Sequence, residues 1–169
     1  MPDLILIAIG SNLPCPEFGP PRAVCEAALA ELSRRGLRIV RRSRWFESAP
    51  VPLSDQPWFV NGVAVVETSL SPGDLLALLH ETERRFGRER REVNAARVLD
   101  LDLIAYGDLV RTEAPPLLPH PRLHERAFVL LPLADVAPDW RHPVDGRTVP
   151  EMIPALPAEQ SIRPLPADE

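Results

Sequence analysis

The stretch Arg97-Val98-Leu99-Asp100-Leu101-Asp102-Leu103-Ile104-Ala105-Tyr106 alternates leucine with aspartate at its centre. A period of two is that of a β-strand with one apolar face. Asp100 and Asp102 then leave the strand on the same side, next to each other. Two carboxylates held that close repel unless a cation lies between them. Hard oxygen ligands on a strand suit Mg²⁺, which takes one or two protein carboxylates and completes its shell with water and phosphate oxygens. The plain alternative is a solvated strand face with two surface aspartates, and for an isolated D-x-D that is the commoner case.

Upstream of this strand, Arg88 to Ala96 is polar and mobile-looking, and Gly87 closes a helix. That helix has Ser71 as N-cap, Pro72 at its first position, Asp74 in its first turn, and Leu75, Leu76, Leu78, Leu79 and Phe86 as its apolar residues. Before it, Trp58 to Thr68 is a strand. Ser48 to Pro57 holds three prolines and is an irregular loop. Leu37 to Phe46 is a strand with polar alternates. Gly36 ends a helix over Ala23 to Arg35, for which Pro21 suits the start. Leu4 to Ile9 is a buried strand, stopped by Gly10-Ser11-Asn12.

The order is therefore strand, helix, strand, strand, helix, strand. That is the split βαβ, ferredoxin-like pattern. It predicts an α+β domain with an antiparallel βαββαβ sheet, helices on one face and the other face free for ligands. Downstream come a turn at Gly107, a proline-rich stretch, a helix around Arg126 to Ala134, and C-terminal additions whose prolines allow at most a short helix. The chain reads as one domain over residues 1–169, with a core of about 3–138 and a Pro-rich tail of about 148–169.

Composition narrows the chemistry. All 19 basic residues are arginine. A Walker A loop needs lysine and is excluded, as are Schiff-base and lysine-base mechanisms. Phosphate would have to be handled by arginine, backbone N–H and metal. Net charge is −5, which disfavours nucleic-acid binding. The positive charge is nonetheless clustered at Arg84, Arg85, Arg88, Arg90, Arg91 and Arg97, a distribution suited to a small anion. No apolar run is long enough for a membrane span or a signal-peptide core, so a cytoplasmic protein is expected. Cys15 and Cys25 form no metal pattern and are expected as free thiols.

Three further groups could carry chemistry. Glu83-x-x-x-Gly87-Arg88-x-Arg90 joins a helix end to a loop whose guanidinium forks match phosphate oxygens. His120 lies between Pro119 and Pro121, with Arg122 and Arg126 following. Ser48-Ala49-Pro50-Val51 precedes Asp55-Gln56-Pro57-Trp58-Phe59-x-Asn61, where a flat heterocycle could stack on aromatic rings and bond to an amide. Taken singly, each has a plain structural explanation: a solvated helix end, a histidine in a turn, an aromatic strand start.

Together these groups, with Ala8-Ile9-Gly10-Ser11-Asn12-Leu13 and Pro119-His120-Pro121-x-x-x-x-Arg126-x-Phe128, occur in an order that resembles the 6-hydroxymethyl-7,8-dihydropterin pyrophosphokinase family of folate synthesis. The resemblance runs from about Leu4 to Pro138. It implies that ATP, as co-substrate, gives its β,γ-pyrophosphate to the hydroxymethyl group of 6-hydroxymethyl-7,8-dihydropterin, leaving AMP. It implies two Mg²⁺ ions bridged by Asp100 and Asp102. It implies catalytic roles for Arg88, Arg90 and Arg97, with Arg88 and Arg90 on a mobile loop that closes over the site. His80, Glu83, Arg88, Arg90, Leu103, His120 and Arg126 would contact ATP. Ser48, Val51, Phe59, Asn61, Asp100 and Phe128 would hold the pterin, Phe59 and Phe128 stacking on its two faces.

The chain departs from the family where many members have Arg-Trp-Gly-Pro-Arg before L-D-L-D. Here Val93-Asn94-Ala95-Ala96-Arg97 stands instead, without the loop tryptophan. Phe59 replaces a common tyrosine. Partners expected from the resemblance are the two small-molecule substrates, with no nucleic acid, no membrane and no obligatory protein partner. The competing readings are a ferredoxin-like nucleic-acid or partner binding module, and a metal-dependent phosphohydrolase with His120 activating water.

Overall fold

The computed structural model describes residues 4–50, 57–87, 98–157 and 160–166. Within them the order is β1 (Ile5–Ser11), α1 (Pro21–Arg34), β2 (Arg38–Arg42), β3 (Phe46–Ser48), β4 (Phe59–Glu67), α2 (Pro72–Arg85), β5 (Asp100–Tyr106), α3 (Ala127–Val136), α4 (Val149–Met152) and β6 (Ile162–Pro164). The strands form one sheet in the order β5-β1-β4-β3-β6, with β2 also paired to β4, and the registered pairs are antiparallel. Through β5 this is the ferredoxin-like plan, with its second strand in two pieces.

The helices end where the chain punctuates them. Ser71 Oγ accepts from Asp74 N–H at the start of α2. Gly36 and Gly87 follow α1 and α2 with φ of +99° and +93°, a region that costs other residues steric strain.

One core lies between the sheet and α1 and α2, built on Ile5, Ile7, Ile9, Leu32, Leu75, Leu79, Leu101 and Leu103. The alternate residues Leu6, Val63, Val65 and Ile104 face the other way and pack on α3, Trp140 and α4. The opposite face is therefore not left open along its length. The apolar helix Ala127–Val136, with Leu130 and Leu133 fully buried, covers its middle. Among the described residues, α3 does not cover the end carrying Asp100 and Asp102, which are half-buried.

Three local expectations are corrected. The strand expected over Leu37 to Phe46 breaks at Ser43, whose Oγ accepts the Val63 N–H at 2.9 Å in place of a ladder bond. The break turns Trp45 into the first core, where its ring lies on Gly62; a Cβ there would stand 2.6 Å from the ring. β1 does not stop at Gly10, because Gly10 still pairs with Asn61 and Asp100 on its two sides. The tail adds a strand, β6, on the free edge of β3.

Candidate active site

The first strand places a side-chain-free position at the middle of the site. Gly10 is paired with Asn61 of β4 on one side and Asp100 of β5 on the other, and Ala8 is paired with Asp102. Directly paired residues point to the same face. Asn61, Asp100 and Asp102 therefore share the face that α3 leaves open, over two small residues. A Cβ on Gly10 would lie 2.9 Å from Asn61 Oδ1, so glycine is what lets the amide sit there.

Asn61 is 5% exposed and donates from Nδ2 to Ser48 Oγ at 2.7 Å. Ser48 is paired with Phe59, so the hydroxyl, the amide and the Phe59 ring lie on one face. Asn12, 1% exposed, donates to Pro57 O at 3.2 Å and ties the start of β4 to the end of β1. On the first turn of α3, Phe128 is half-buried against the second core, with the Arg126 guanidinium 5.4 Å from its ring centroid.

His120 is fastened beside β5. Its N–H donates to Ile104 O at 2.8 Å, and its Nδ1 accepts the Arg122 N–H at 3.1 Å. The neutral ring therefore carries its proton on Nε2, a donor suited to a phosphate oxygen. Burial pushes the imidazole pKa down to about 4; the Arg126 charge acts the same way, Asp100 opposes it, and Arg122 adds to the lowering. The mutual influence puts Asp100, His120 and Arg126 in one electrostatic neighbourhood.

Other expected residues have different places. Glu83 is 1% exposed, and its carboxylate accepts the Leu101 N–H at 2.8 Å on the outer edge of β5. It supports the strand that carries the aspartates. Leu103 is 4% exposed with its side chain in the first core, so what it can offer a ligand is backbone. His80 is half-buried on α2, one turn before Glu83. Val51, Arg88, Arg90 and Arg97 lie outside the described residues. Cys15 and Cys25 are both free thiols.

The carboxylate pair fits Mg²⁺ by its donor set. Among the described residues no group of three or more His, Cys, Asp or Glu is built to enclose a metal. Two carboxylates are what Mg²⁺ takes from a protein when phosphate and water fill the rest of its shell. Sequence reasoning placed Gly10 and Asn12 only in the strand stop and the motif over residues 8–13, and missed what each does in the fold. Asn12 acts across 45 residues, which no local pattern carries.

Fold and site together define a class: a ferredoxin-like domain that brings two aspartates, a buried amide and a phenylalanine onto one face at one end of its sheet. The sequence matches the family described as 7,8-dihydro-6-hydroxymethylpterin-pyrophosphokinase over residues 6–138, and the chain belongs to that family. It is 42% identical to the 2-amino-4-hydroxy-6-hydroxymethyldihydropteridine pyrophosphokinase of Pseudomonas aeruginosa, covering 92% of this chain and 93% of that one. The protein of the same name from Synechocystis is 40% identical, over 88% of this chain and 73% of its own. The folic acid synthesis protein fol1 of Pneumocystis carinii is 34% identical over 96% of this chain, which spans 21% of fol1. In structure, the Plasmodium falciparum HPPK-DHPS superposes with a TM-score of 0.69 at 13% identity, covering 92% of this chain and 43% of that one, a likeness of fold.

The nucleic-acid or partner-binding alternative is not supported. It expects exposed aromatics on central strands and a basic face, and this face presents Asp100 and Asp102. Among the described residues no helix is long and apolar enough to cross a membrane.

Proposed function

We propose that this chain transfers the β,γ-pyrophosphate of ATP to the hydroxymethyl oxygen of 6-hydroxymethyl-7,8-dihydropterin and releases AMP, a step of folate synthesis in the cytoplasm. The observation that carries this reading is the meeting of two kinds of site at one sheet end. Asp100 and Asp102 share one sheet face with Asn61, one strand away, and with Ser48 and Phe59 beyond it; Asp100 and Arg126 both act electrostatically on His120, and Arg126 lies against Phe128. This arrangement supports an anion site beside a slot for a flat heterocycle.

In the slot, Phe59 and Phe128 supply faces for the pterin, while Asn61 and Ser48 supply polar atoms for its edge. Burial makes those polar contacts selective, because a ligand lacking the matching groups leaves them unpaired. On the anion side, His120 at neutral pH is an uncharged Nε2–H donor and Arg126 brings the full charge. Asp100 and Asp102 would hold two Mg²⁺ ions, which when bound neutralise triphosphate charge and align the attacking hydroxyl with the β-phosphorus. As the hydroxymethyl oxygen bonds to that phosphorus, the bond from phosphorus to the bridging oxygen of AMP breaks, AMP leaves with that oxygen and the hydroxyl proton passes to solvent. Such transfers depend on positioning and charge more than on covalent catalysis. Arg88, Arg90 and Arg97 complete the proposal as cations that act at the transition state, with His80, Glu83 and Leu103 on the nucleotide side and Val51 at the pterin edge.

The test is the nucleotide product. AMP formed only when the dihydropterin is supplied supports the transfer. Inorganic phosphate formed without it would make the chain a phosphohydrolase, and no turnover with Mg²⁺ and both substrates would leave a binding protein.

A further inference from the structure

The tail from Gln160 onward has no part in the site as described so far, yet it touches both walls of the pterin slot. Arg126 is the N-cap of α3 and caps it with no side-chain bond. A helix start leaves N–H groups without partners inside the helix. Here the Ala127 N–H is taken by Gln160 Oε1 at 2.9 Å, and Gln160 Nε2 donates to Glu125 O at 2.7 Å. One side-chain amide thus holds the peptide groups on both sides of Arg126. It does so from 33 residues away. Arg126 in turn lies against the Phe128 ring.

The next residue serves the other wall. Ser161 O accepts the Ala49 N–H at 3.0 Å, directly after Ser48, and β6 continues with Ile162 paired to Ser48. Arg163 pairs with Glu47 and lies 5.4 Å from the ring centroid of Trp58, the residue before Phe59. Farther on, the Leu165 N–H donates to Trp45 O at 2.8 Å, and Arg22 donates to Pro166 O at 2.6 Å. Two consecutive residues, Gln160 and Ser161, therefore join the start of α3 to the end of β3, which carry Phe128 and Ser48.

We propose that Gln160 is a positioning residue for the pterin slot, setting Phe128 and Arg126 against the Ser48–Asn61 wall. This rests on the function proposed above. A tail that merely adds stability would lower the melting temperature and leave ligand affinity alone in the folded protein. A positioning tail changes affinity through a particular ring, and that coupling is measurable.

The experiment uses the full chain. AMP production by the wild type is measured first and tests the underlying function by itself. Dihydropterin binding is then measured by calorimetry with a non-transferable ATP analogue present. Gln160→Ala is expected to weaken pterin binding about tenfold, the range for losing a bidentate amide contact. In a Phe128→Ala background the same substitution should change it by less than about twofold, because the residue it acts through is gone. Arg22→Ala, which removes the bond to Pro166 O at the end of the tail, should leave pterin affinity unchanged. Unchanged pterin affinity in folded Gln160→Ala, or an undiminished further loss in the Phe128→Ala background, would overturn the proposal while leaving the transfer reaction standing. If Gln160→Ala melts below the assay temperature, Gln160→Glu replaces it. That variant keeps the acceptor for Ala127 and loses the donor to Glu125; about a threefold loss is expected, and no loss overturns the proposal.

Discussion

A methyl group on Gly10 would stand 2.9 Å from the amide oxygen of Asn61, and nothing else about Gly10 calls for glycine. Gly10→Ala is therefore expected to displace Asn61 while leaving a folded sheet. Pterin binding should weaken by about tenfold with ATP binding changed far less, matching the loss in Asn61→Ala. Calorimetry with each ligand checks this, and equal losses for both ligands would mean that Asn61 supports the site in general. The aspartates differ in kind. Asp100→Ala and Asp102→Ala each remove a carboxylate from a half-buried strand position of β5. Turnover at saturating Mg²⁺ should fall by several orders of magnitude, on the order of several kcal/mol of transition-state stabilisation. Near-wild-type turnover in either variant would remove the metal role. These residues were legible in sequence because period-two alternation alone sets their common face. Asn12 and Gln160 were not, since their partners Pro57, Glu125 and Ala127 are reached only through the folded chain.

At the scale of elements, legibility followed the local signal. Ser71, Gly36 and Gly87 set helix ends by short-range chemistry, and the structure has them in those roles. The break between β2 and β3 depends on Ser43 meeting Val63 and on Trp45 meeting Gly62, contacts that no local pattern carries. β6 is three residues ending in proline and has no strand signature of its own; the open edge of β3 makes it a strand. β5 lies at the other edge of the sheet, and there Glu83 takes the Leu101 N–H. Glu83→Ala should leave that buried N–H without its carboxylate and cost about 1–3 kcal/mol of stability. Urea unfolding measures it. A variant as stable as wild type but weak in ATP binding would shift Glu83 from strand support to nucleotide contact alone.

Over the whole molecule, two sets of titrating groups give stability an acid limb in two stages. His120 is neutral in the fold, with its pKa pushed from the ordinary 6.5 down to about 4, first by burial and then by Arg126. Between those values the unfolded chain binds a proton that the folded chain refuses, so stability rises with pH across that window and falls as pH drops from 6.5 toward 4. His142 is lowered in the same direction, again chiefly by burial. Glu31 is shifted in the same direction, but by bonds to its charged form and not by burial. It accepts hydrogen bonds from Arg34 and Arg35 at the end of α1 and reaches α2 through a 3.5 Å pair with Arg85, and the Arg35 and Arg34 bonds hold its pKa below the usual carboxylate range. Its contribution is complete above the unfolded value near 4.3 and is lost as pH falls through its folded pKa. Thermal melts from pH 8 to 3 should therefore show a plateau above about 7, a decline beginning near 6.5, and a steeper one below about 4.5. His120→Gln should reduce the first decline, leaving the part from His142, and leave the second unchanged. Glu31→Gln should lower the melting temperature at pH 7 and converge on wild type only as pH falls through the lowered Glu31 pKa. A wild-type curve flat from 7 to 4.5, or an unchanged first decline in His120→Gln, would show that the imidazole is not held neutral by the fold.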